Sequence, residues 1–106
     1  MLIETHKVDL ITQNPDNGDF KMHLVIEATE VYPEFKFEKY LAEKLNSYAS
    51  YFLDGQMSAA YPDLDQTEIM VLIQSDREIN LKEMMIINRV AHKFREHSLN
   101  CFYERL

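Results

Sequence analysis

The sequence predicts an α+β fold in which two helices pack on one face of a four-stranded mixed sheet. Three observations predict it: two alternating strand patterns joined by a turn, two helix patterns with one apolar stripe each, and a strand pattern after each helix. The elements follow the order β-β-α-β-α-β. With 106 residues, of which 46% are hydrophobic, we expect a single domain over residues 1–106 with a core of its own.

The first two strands are predicted to form a hairpin. Residues 7–12 alternate, and the Asn-Pro-Asp-Asn-Gly run at 14–18 combines residues that favour a tight turn. The second strand alternates over 20–28, which is the clearest strand pattern in the chain. A loop centred on Asp16 turns one set of side chains from both strands towards the core: Val8, Leu10, Thr12, Phe20, Met22, Leu24, Ile26 and Ala28.

The first helix is predicted over about residues 34–53, with a stop at Asp54-Gly55. Glycine ends a helix well because it takes the left-handed conformation readily. Most of the remaining helix surface is polar, and we expect Lys44 to lie there, in solvent. The apolar stripe, at steps of three and four, consists of Phe37, Leu41, Leu45, Tyr48 and Phe52.

The second helix is predicted to begin near Leu81 and to end near residues 98–99. Asn80 and Glu83 have the spacing of a capping box, in which each side chain accepts a hydrogen bond from the other residue's backbone N–H. Met85 falls outside the apolar face. That face consists of Met84, Ile86, Ile87, Val90, Ala91 and Phe94.

Two further strands are predicted, over residues 67–75 and 100–106. The first is apolar on both sides, which indicates an interior strand or one that lies in an interface. Cys101 lies in the second and is the only cysteine, so an internal disulfide is excluded. We expect its thiol to be a small buried hydrophobic group, because the local sequence supplies no cationic neighbour to activate it.

The composition disfavours several classes of partner. The net charge of −7 repels a phosphate backbone, so we expect no nucleic-acid partner. The N-terminus lacks a signal-peptide pattern, and no window approaches the ~20 apolar residues of a membrane span. Together with the single cysteine, these features favour a soluble cytoplasmic protein with no membrane partner.

No recognisable catalytic or cofactor motif is present, so we predict no catalytic residue, no cofactor and no metal site. Two glycines are too few for a phosphate-cradling loop. His23 is expected opposite Asp9 on the outer face of the hairpin, as a surface ion pair rather than an oriented general base. A faint resemblance to a calcium loop, for which a solvated turn is the favoured interpretation, involves Asp63, Asp65 and Glu68.

A basic face and a surplus of tyrosine indicate a candidate contact surface. Tyrosine is favoured at protein interfaces, although a solvated face and packing beneath the loop at 56–66 are alternatives. The basic residues on the outer face of the second helix are Lys82, Arg89, His92, Lys93 and Arg95. The candidate interface residues are Tyr40, Tyr51, Met85, Arg89 and His92.

The middle of the chain carries a moderately specific motif. It combines Glu43-Lys44-Leu45-Asn46-x-Tyr48 with Tyr51-Phe52-x-Asp54-Gly55-Gln56-Met57 and a later Tyr61-Pro62. Over residues 20–75 the chain resembles a family of small bacterial proteins of unknown function, in which a K-(L/I)-N-x-Y helix runs into F-x-x-x-G-x-(L/M) and Y-P. The resemblance implies a free-standing bacterial cytoplasmic protein and no particular activity.

Asn46 supports a different interpretation of the same region. Asparagine is a poor helix former, so in mid-helix its side chain is expected to hold a backbone carbonyl or a ligand. A polar pocket between the first helix and the loop at 56–66 would consist of Asn46, Tyr48, Asp54 and Tyr61.

Two functions therefore stay open. The leading hypothesis is a non-enzymatic protein-binding module whose partner is another protein or a second copy of the chain. One form of it is an immunity-type acidic protein that neutralises a basic toxin or nuclease site. The alternative is a small enzyme or ligand-binding protein that uses the polar pocket, which would then be a closed concavity with converging polar groups.

Overall fold

Six elements make up the part of the chain that the computed structural model describes, residues 1–16, 18–53, 69–96 and 100–106. The strands form one sheet in the order β1-β2-β3-β4, which is antiparallel between β1 and β2 and parallel across the other two pairs. This confirms the predicted mixed sheet and the order of its elements. The elements are β1 (Leu10–Gln13), β2 (Phe20–Ile26), α1 (Glu34–Leu53), β3 (Ile69–Ser75), α2 (Leu81–Glu96) and β4 (Asn100–Arg105).

The core lies between the two helices and one face of the sheet, as predicted. Side chains from both helices and from β2, β3 and β4 form one buried apolar cluster. β3 is an interior strand between β2 and β4, which explains why its sequence is apolar on both sides. The helix members of the cluster are Phe37, Leu41, Leu45, Tyr48, Ile86, Ile87, Val90 and Ala91, and the sheet members include Phe20, Met22, Leu24, Ile26, Val71, Ile73 and Cys101.

The hairpin register differs by one residue from the predicted one. Leu10 pairs with His23 and Ile11 pairs with Met22. Ile11 therefore packs against the core, whereas Leu10 is 52% exposed on the outer face of the sheet. The prediction that Leu10 and Thr12 face the core was wrong, because a shift of one residue moves both side chains to the other face of the sheet.

The loop of the hairpin explains this shift. The backbone N–H of Asn14 donates a 2.8 Å hydrogen bond to the carbonyl of Asp19, and these two residues close the loop. Gly18 takes a positive φ of 79°, the conformation that its lack of a Cβ permits. An even number of residues lies between Asn14 and Asp19, whereas a loop centred on Asp16 has an odd number between its closing residues. The pairing of the two strands is therefore shifted by one residue.

β1 is shorter than predicted because side chains replace backbone partners along β2. The Asp9 carboxylate accepts a 2.8 Å hydrogen bond from the backbone N–H of Val25, and the Tyr48 hydroxyl donates one of 2.6 Å to the carbonyl of His23. The backbone N–H of Asp9 in turn donates to the Tyr48 hydroxyl over 3.0 Å. These backbone groups of β2 are satisfied without a longer strand, and β1 begins only at Leu10.

Lys44 is fully buried, which corrects its predicted place in solvent. Its Nζ donates a 2.7 Å hydrogen bond to the Asp9 carboxylate and a second hydrogen bond to the backbone carbonyl of Met1. Position 44 lies three residues after Leu41 and four before Tyr48, so it falls on the apolar stripe of α1. The ion pair joins the middle of α1 to the N-terminal segment and, through Asp9, to β2.

A second buried carboxylate, that of Glu30, holds the N-terminal segment against the core. It accepts hydrogen bonds from the backbone N–H groups of Leu2 (2.8 Å), Ile3 (3.2 Å) and Glu27 (3.0 Å) and from the Tyr32 hydroxyl (2.6 Å). Burial alone would raise the pKa of Glu30, but these hydrogen bonds outweigh it and lower the pKa below its ordinary value. Leu2 itself is fully buried.

The predicted capping box at the start of α2 is confirmed. The backbone N–H of Glu83 donates to the Asn80 side chain over 2.8 Å, and that of Asn80 donates to the Glu83 carboxylate over 3.2 Å. Arg77 contacts the same carboxylate with two nitrogens, at 2.9 and 2.5 Å, and also donates to the backbone carbonyl of Glu30. The hydrogen bonds from Arg77 lower the pKa of Glu83 against the opposing effect of burial.

We predict that Lys44→Ala lowers the free energy of unfolding by about 3–5 kcal/mol, because it leaves the Asp9 carboxylate buried without its cation. Lys39→Ala, an exposed site on the same helix, should change it by no more than about 0.5 kcal/mol. Urea unfolding followed by circular dichroism measures both. Equal effects of the two substitutions would show that the buried pair contributes nothing.

We also predict that stability falls as the pH is lowered below the ordinary glutamate pKa of 4.5. The folded-state pKa values of Glu30 and Glu83 are lowered, so their contribution is fully present above the unfolded-state value and is lost as the pH falls through the folded-state values. Glu83→Gln should flatten this dependence, whereas Glu78→Gln, at a 91% exposed side chain, should not. Unfolding curves over a pH series test this, and an unchanged slope in Glu83→Gln would contradict it.

Candidate functional site

An open groove lies between α1 and α2, and two exposed apolar side chains line it. Phe35 on α1 is 70% exposed and Met85 on α2 is 59% exposed. Both side chains line the groove, which has a volume of about 700 Å³. Among the described residues its lining consists of Glu34, Phe35, Glu38, Lys82, Met85, Ile86 and Arg89, and we refer to these residues as the helix groove.

Two ion pairs cross the helix groove. Lys82 Nζ lies 3.2 Å from a Glu34 carboxylate oxygen, and Arg89 lies 2.8 Å from Glu38. The first pair joins the starts of both helices and the second lies further along both, so the helices run in the same direction. The acidic residues form a row on α1 and the basic residues form a row on α2. The two acids and two bases cancel, so the groove has no net charge.

The five candidate interface residues do not form one continuous surface. Met85 and Arg89 lie together in the helix groove, and the imidazole of His92 is exposed three residues beyond Arg89, 2.8 Å from Glu96. Tyr40 is half-buried and packs edge-on against Tyr32, with ring centroids 5.1 Å apart. Tyr51 is also half-buried and lies outside the helix groove.

Several helix-groove residues were missed by the sequence reasoning, above all Phe35. It precedes Phe37 by two positions and so lies on the opposite side of α1 from the apolar stripe. A large aromatic residue off the stripe of a helix is a signal that could have identified it. The partners of Lys82 and Arg89 could not be found in this way, because they depend on how the two helices lie side by side.

A second opening, a polar hollow of about 620 Å³, lies between α1 and the N-terminal segment. It contains Asn46 from the predicted polar pocket, whereas the ring of Tyr48 is fully buried and its hydroxyl bonds backbone groups. Asp54 and Tyr61 lie outside the described residues. The lining of this hollow is His6, Val8, Glu43, Asn46, Ser47, Ser50 and Tyr51.

On the outer face of the sheet, one hydrogen-bonded chain crosses all four strands. Thr12 Oγ1 lies 2.8 Å from His23 Nε2, and His23 Nδ1 lies 2.9 Å from Gln74 Oε1. Gln74 Nε2 donates to a Glu104 carboxylate oxygen over 2.7 Å. The predicted surface pair of His23 with Asp9 was therefore wrong. The register places Leu10 opposite His23, and Asp9 instead bonds Lys44 and Val25.

The Glu104 carboxylate at one end of this hydrogen-bonded row selects the tautomer of a neutral His23 imidazole. An ionised Glu104 can only accept, so Gln74 donates its N–H to it and turns its oxygen to His23. Nδ1 of a neutral His23 must then carry the proton, and Nε2 is left to accept from the Thr12 hydroxyl. Thr12, His23, Gln74 and Glu104 line neither the helix groove nor the hollow. Their hydrogen bonds therefore order the outer face of the sheet without adjoining either opening.

Metal and thiol chemistry find little support in the described residues. Within these residues no three His, Cys, Asp or Glu side chains are grouped closely enough to hold a metal ion. Cys101 is buried as predicted, and burial raises the pKa of its thiol to about 12. The carboxylates of the faint calcium-loop pattern, Asp63, Asp65 and Glu68, lie outside the described residues.

Comparison with known proteins places the chain in a family. The model of a family of unknown function, DUF6572, matches residues 1–105. The chain belongs to this family. No curated protein and no solved structure matches it. Among the described helices, none has the length and apolar character needed to cross a bilayer. The description of this family names no activity.

We predict that neutral His23 is the tautomer with its proton on Nδ1. Glu104→Gln should weaken this preference, because a glutamine can donate and so allows the Gln74 amide to turn over. Glu78→Gln is the control, at an exposed carboxylate outside the chain. Ring nitrogen shifts measured by NMR distinguish the tautomers, and a proton on Nε2 in the unsubstituted protein would contradict the prediction.

Proposed function

We propose that the protein is a non-enzymatic protein-binding module and that the helix groove is its contact surface. The observation that carries this is the exposure of Phe35 and Met85, on opposite walls of one groove. Large apolar side chains grouped within a polar rim are typical of interaction sites, and aromatic residues and methionine are enriched there. Here the two ion pairs supply the rim.

The energetics support such a contact. Removing a phenylalanine or methionine side chain from water is worth about 1.5–3 kcal/mol. Two neighbouring side chains of this kind therefore provide a centre of the size that dominates many interfaces. Arg89 adds a planar guanidinium, a group over-represented at interfaces, directly beside them.

The rigidity of both groove walls also supports the proposal. α1 is held at its middle by the buried pair of Lys44 with Asp9. α2 is held at its start by the capping box and by the contact of Arg77 with Glu83. A surface that is already ordered loses less conformational freedom when a partner docks than a mobile one does.

The proposal includes a bacterial cytoplasmic protein as its setting, supported by the family resemblance and by a single buried cysteine. The immunity-type form, in which an acidic protein covers a basic site, is supported by the net charge of −7. That form would use acidic surface outside the helix groove, because the groove itself has no net charge.

A second candidate function is small-ligand binding in the polar hollow beside α1. The convergence of Asn46, Ser47 and Ser50 with Glu43 and His6 on one opening supports it, although this hollow is open to solvent and is not the closed concavity expected from the sequence. Substituting Asn46 and Ser50 would then remove binding, whereas helix-groove substitutions would not.

We predict that a photoreactive phenylalanine analogue at position 35 forms a protein adduct in cells that produce the full chain. The same analogue at Phe102, an exposed phenylalanine on the outer face of the sheet, is the matched control and should form none. Met85→Asp in addition should abolish the adduct, because it places a charge in the centre of the contact. Mass spectrometry after irradiation measures all three.

Equal labelling from positions 35 and 102, or no adduct from position 35, would overturn the helix groove as a protein-binding surface. An adduct that survives Met85→Asp would also overturn it, because both walls are required.

A further inference from the structure

We propose that the occupant of the helix groove is a second copy of this chain, docked face to face about a two-fold axis. The inference rests on the proposed function and names its partner. Three observations support it: the arrangement of charge in the groove, the two exposed apolar side chains there, and sheet edges that are poorly suited to strand pairing.

The net charge of the molecule restricts where two copies can meet. Each chain carries −7, so two copies repel each other over most of their surface. The helix groove is a surface where Glu34 and Glu38 are balanced by Lys82 and Arg89, so the repulsion there is removed locally. A strongly basic partner gains nothing from a neutral groove, whereas an acidic copy of the same chain needs one.

The rows of charge select one arrangement of the two copies. The acidic row lies on α1 and the basic row on α2, and the helices run in the same direction. A two-fold axis along the groove places α1 of each copy over α2 of the other, so each acidic row faces a basic row. An axis across the groove would place α1 over α1 and bring like charges together. The first arrangement is therefore the complementary one.

The same axis brings the apolar residues together. Phe35 lies on α1, beside Glu34, and Met85 lies on α2, between Lys82 and Arg89. With α1 over the partner's α2, the Phe35 ring of each copy lies over the Met85 side chain of the other. Four large apolar side chains, two from each copy, would thus be buried away from water at the centre of the contact, with charged pairs at its rim.

The edges of the sheet offer little for an alternative contact through strand pairing. β4 is an edge strand, but Arg95 donates a 2.7 Å hydrogen bond to the carbonyl of Cys101 and its guanidinium lies 5.5 Å from the centre of the Phe102 ring. A side chain that occupies the carbonyl of Cys101 in this way hinders the addition of another strand at that point. The opposite edge, β1, has only four residues.

The test is the mass of the purified full chain in solution, measured by light scattering over a concentration series. We expect the unsubstituted chain to be a dimer. An acidic variant, Lys82→Glu with Arg89→Glu, and a basic variant, Glu34→Lys with Glu38→Lys, should each associate at least about tenfold more weakly, because like charges then face each other. Circular dichroism should show both folded, because exposed ion pairs contribute little to stability.

Mixing these two variants should restore a dimer that contains one copy of each, since every acidic row then faces a basic row. The control for total charge is Lys7→Glu with Lys21→Glu, at exposed sites outside the groove. It changes the net charge as much as the acidic variant does and should remain dimeric.

The second-copy proposal would be overturned by a monomeric unsubstituted chain or by charge variants that associate as tightly as the unsubstituted chain. A mixture that associates no more tightly than the separate variants, or a control that dissociates, would also overturn it. The photoreactive analogue at position 35 separates this failure from that of the proposed function. An adduct to a different protein would overturn the second copy and leave the helix groove as a protein-binding surface, whereas the absence of any adduct would overturn both.

Discussion

The buried ion pair between Lys44 and Asp9 is the interaction on which the rest of this structure depends. It lies where α1, the N-terminal segment and β2 meet, and each of its partners also bonds to backbone. Because a charge buried alone is far more unfavourable than a pair, neither partner can leave without the other. The pair therefore fixes both the position of α1 on the sheet and the point where β1 begins.

This constraint extends to the surface. α1 cannot shift along the sheet without breaking the pair, and α2 is held separately by the contacts of Glu83 with Asn80 and Arg77. The helix groove is the space between these two fixed helices, so its exposed side chains project from backbone that is held in place. The outer face of the sheet is ordered differently, by a hydrogen-bonded chain whose direction the Glu104 carboxylate sets.

The fold could be predicted because the apolar periodicity of each element matched its burial, most clearly in α1. The hairpin register could not be predicted, because it depends on the length of the loop, which differs by one residue from the length assumed for a loop centred on Asp16. Lys44 was assigned to solvent by residue type, although its position on the apolar stripe indicated burial. Phe35 could have been identified from its place opposite that stripe, about 200° from Phe37 on the helix. The facing rows of acidic and basic residues could not be predicted, because they depend on how α1 and α2 pack side by side.

The most direct test of the helix groove as a buried contact is the access of a soluble paramagnetic agent to the methionine methyl groups, measured by NMR. In the isolated chain Met85 is 59% exposed, Met1 36% and Met22 0%. If the groove is occupied in solution, the methyl group of Met85 relaxes more slowly than that of Met1 and approaches that of Met22. Faster relaxation of Met85 than of Met1 would contradict a covered groove.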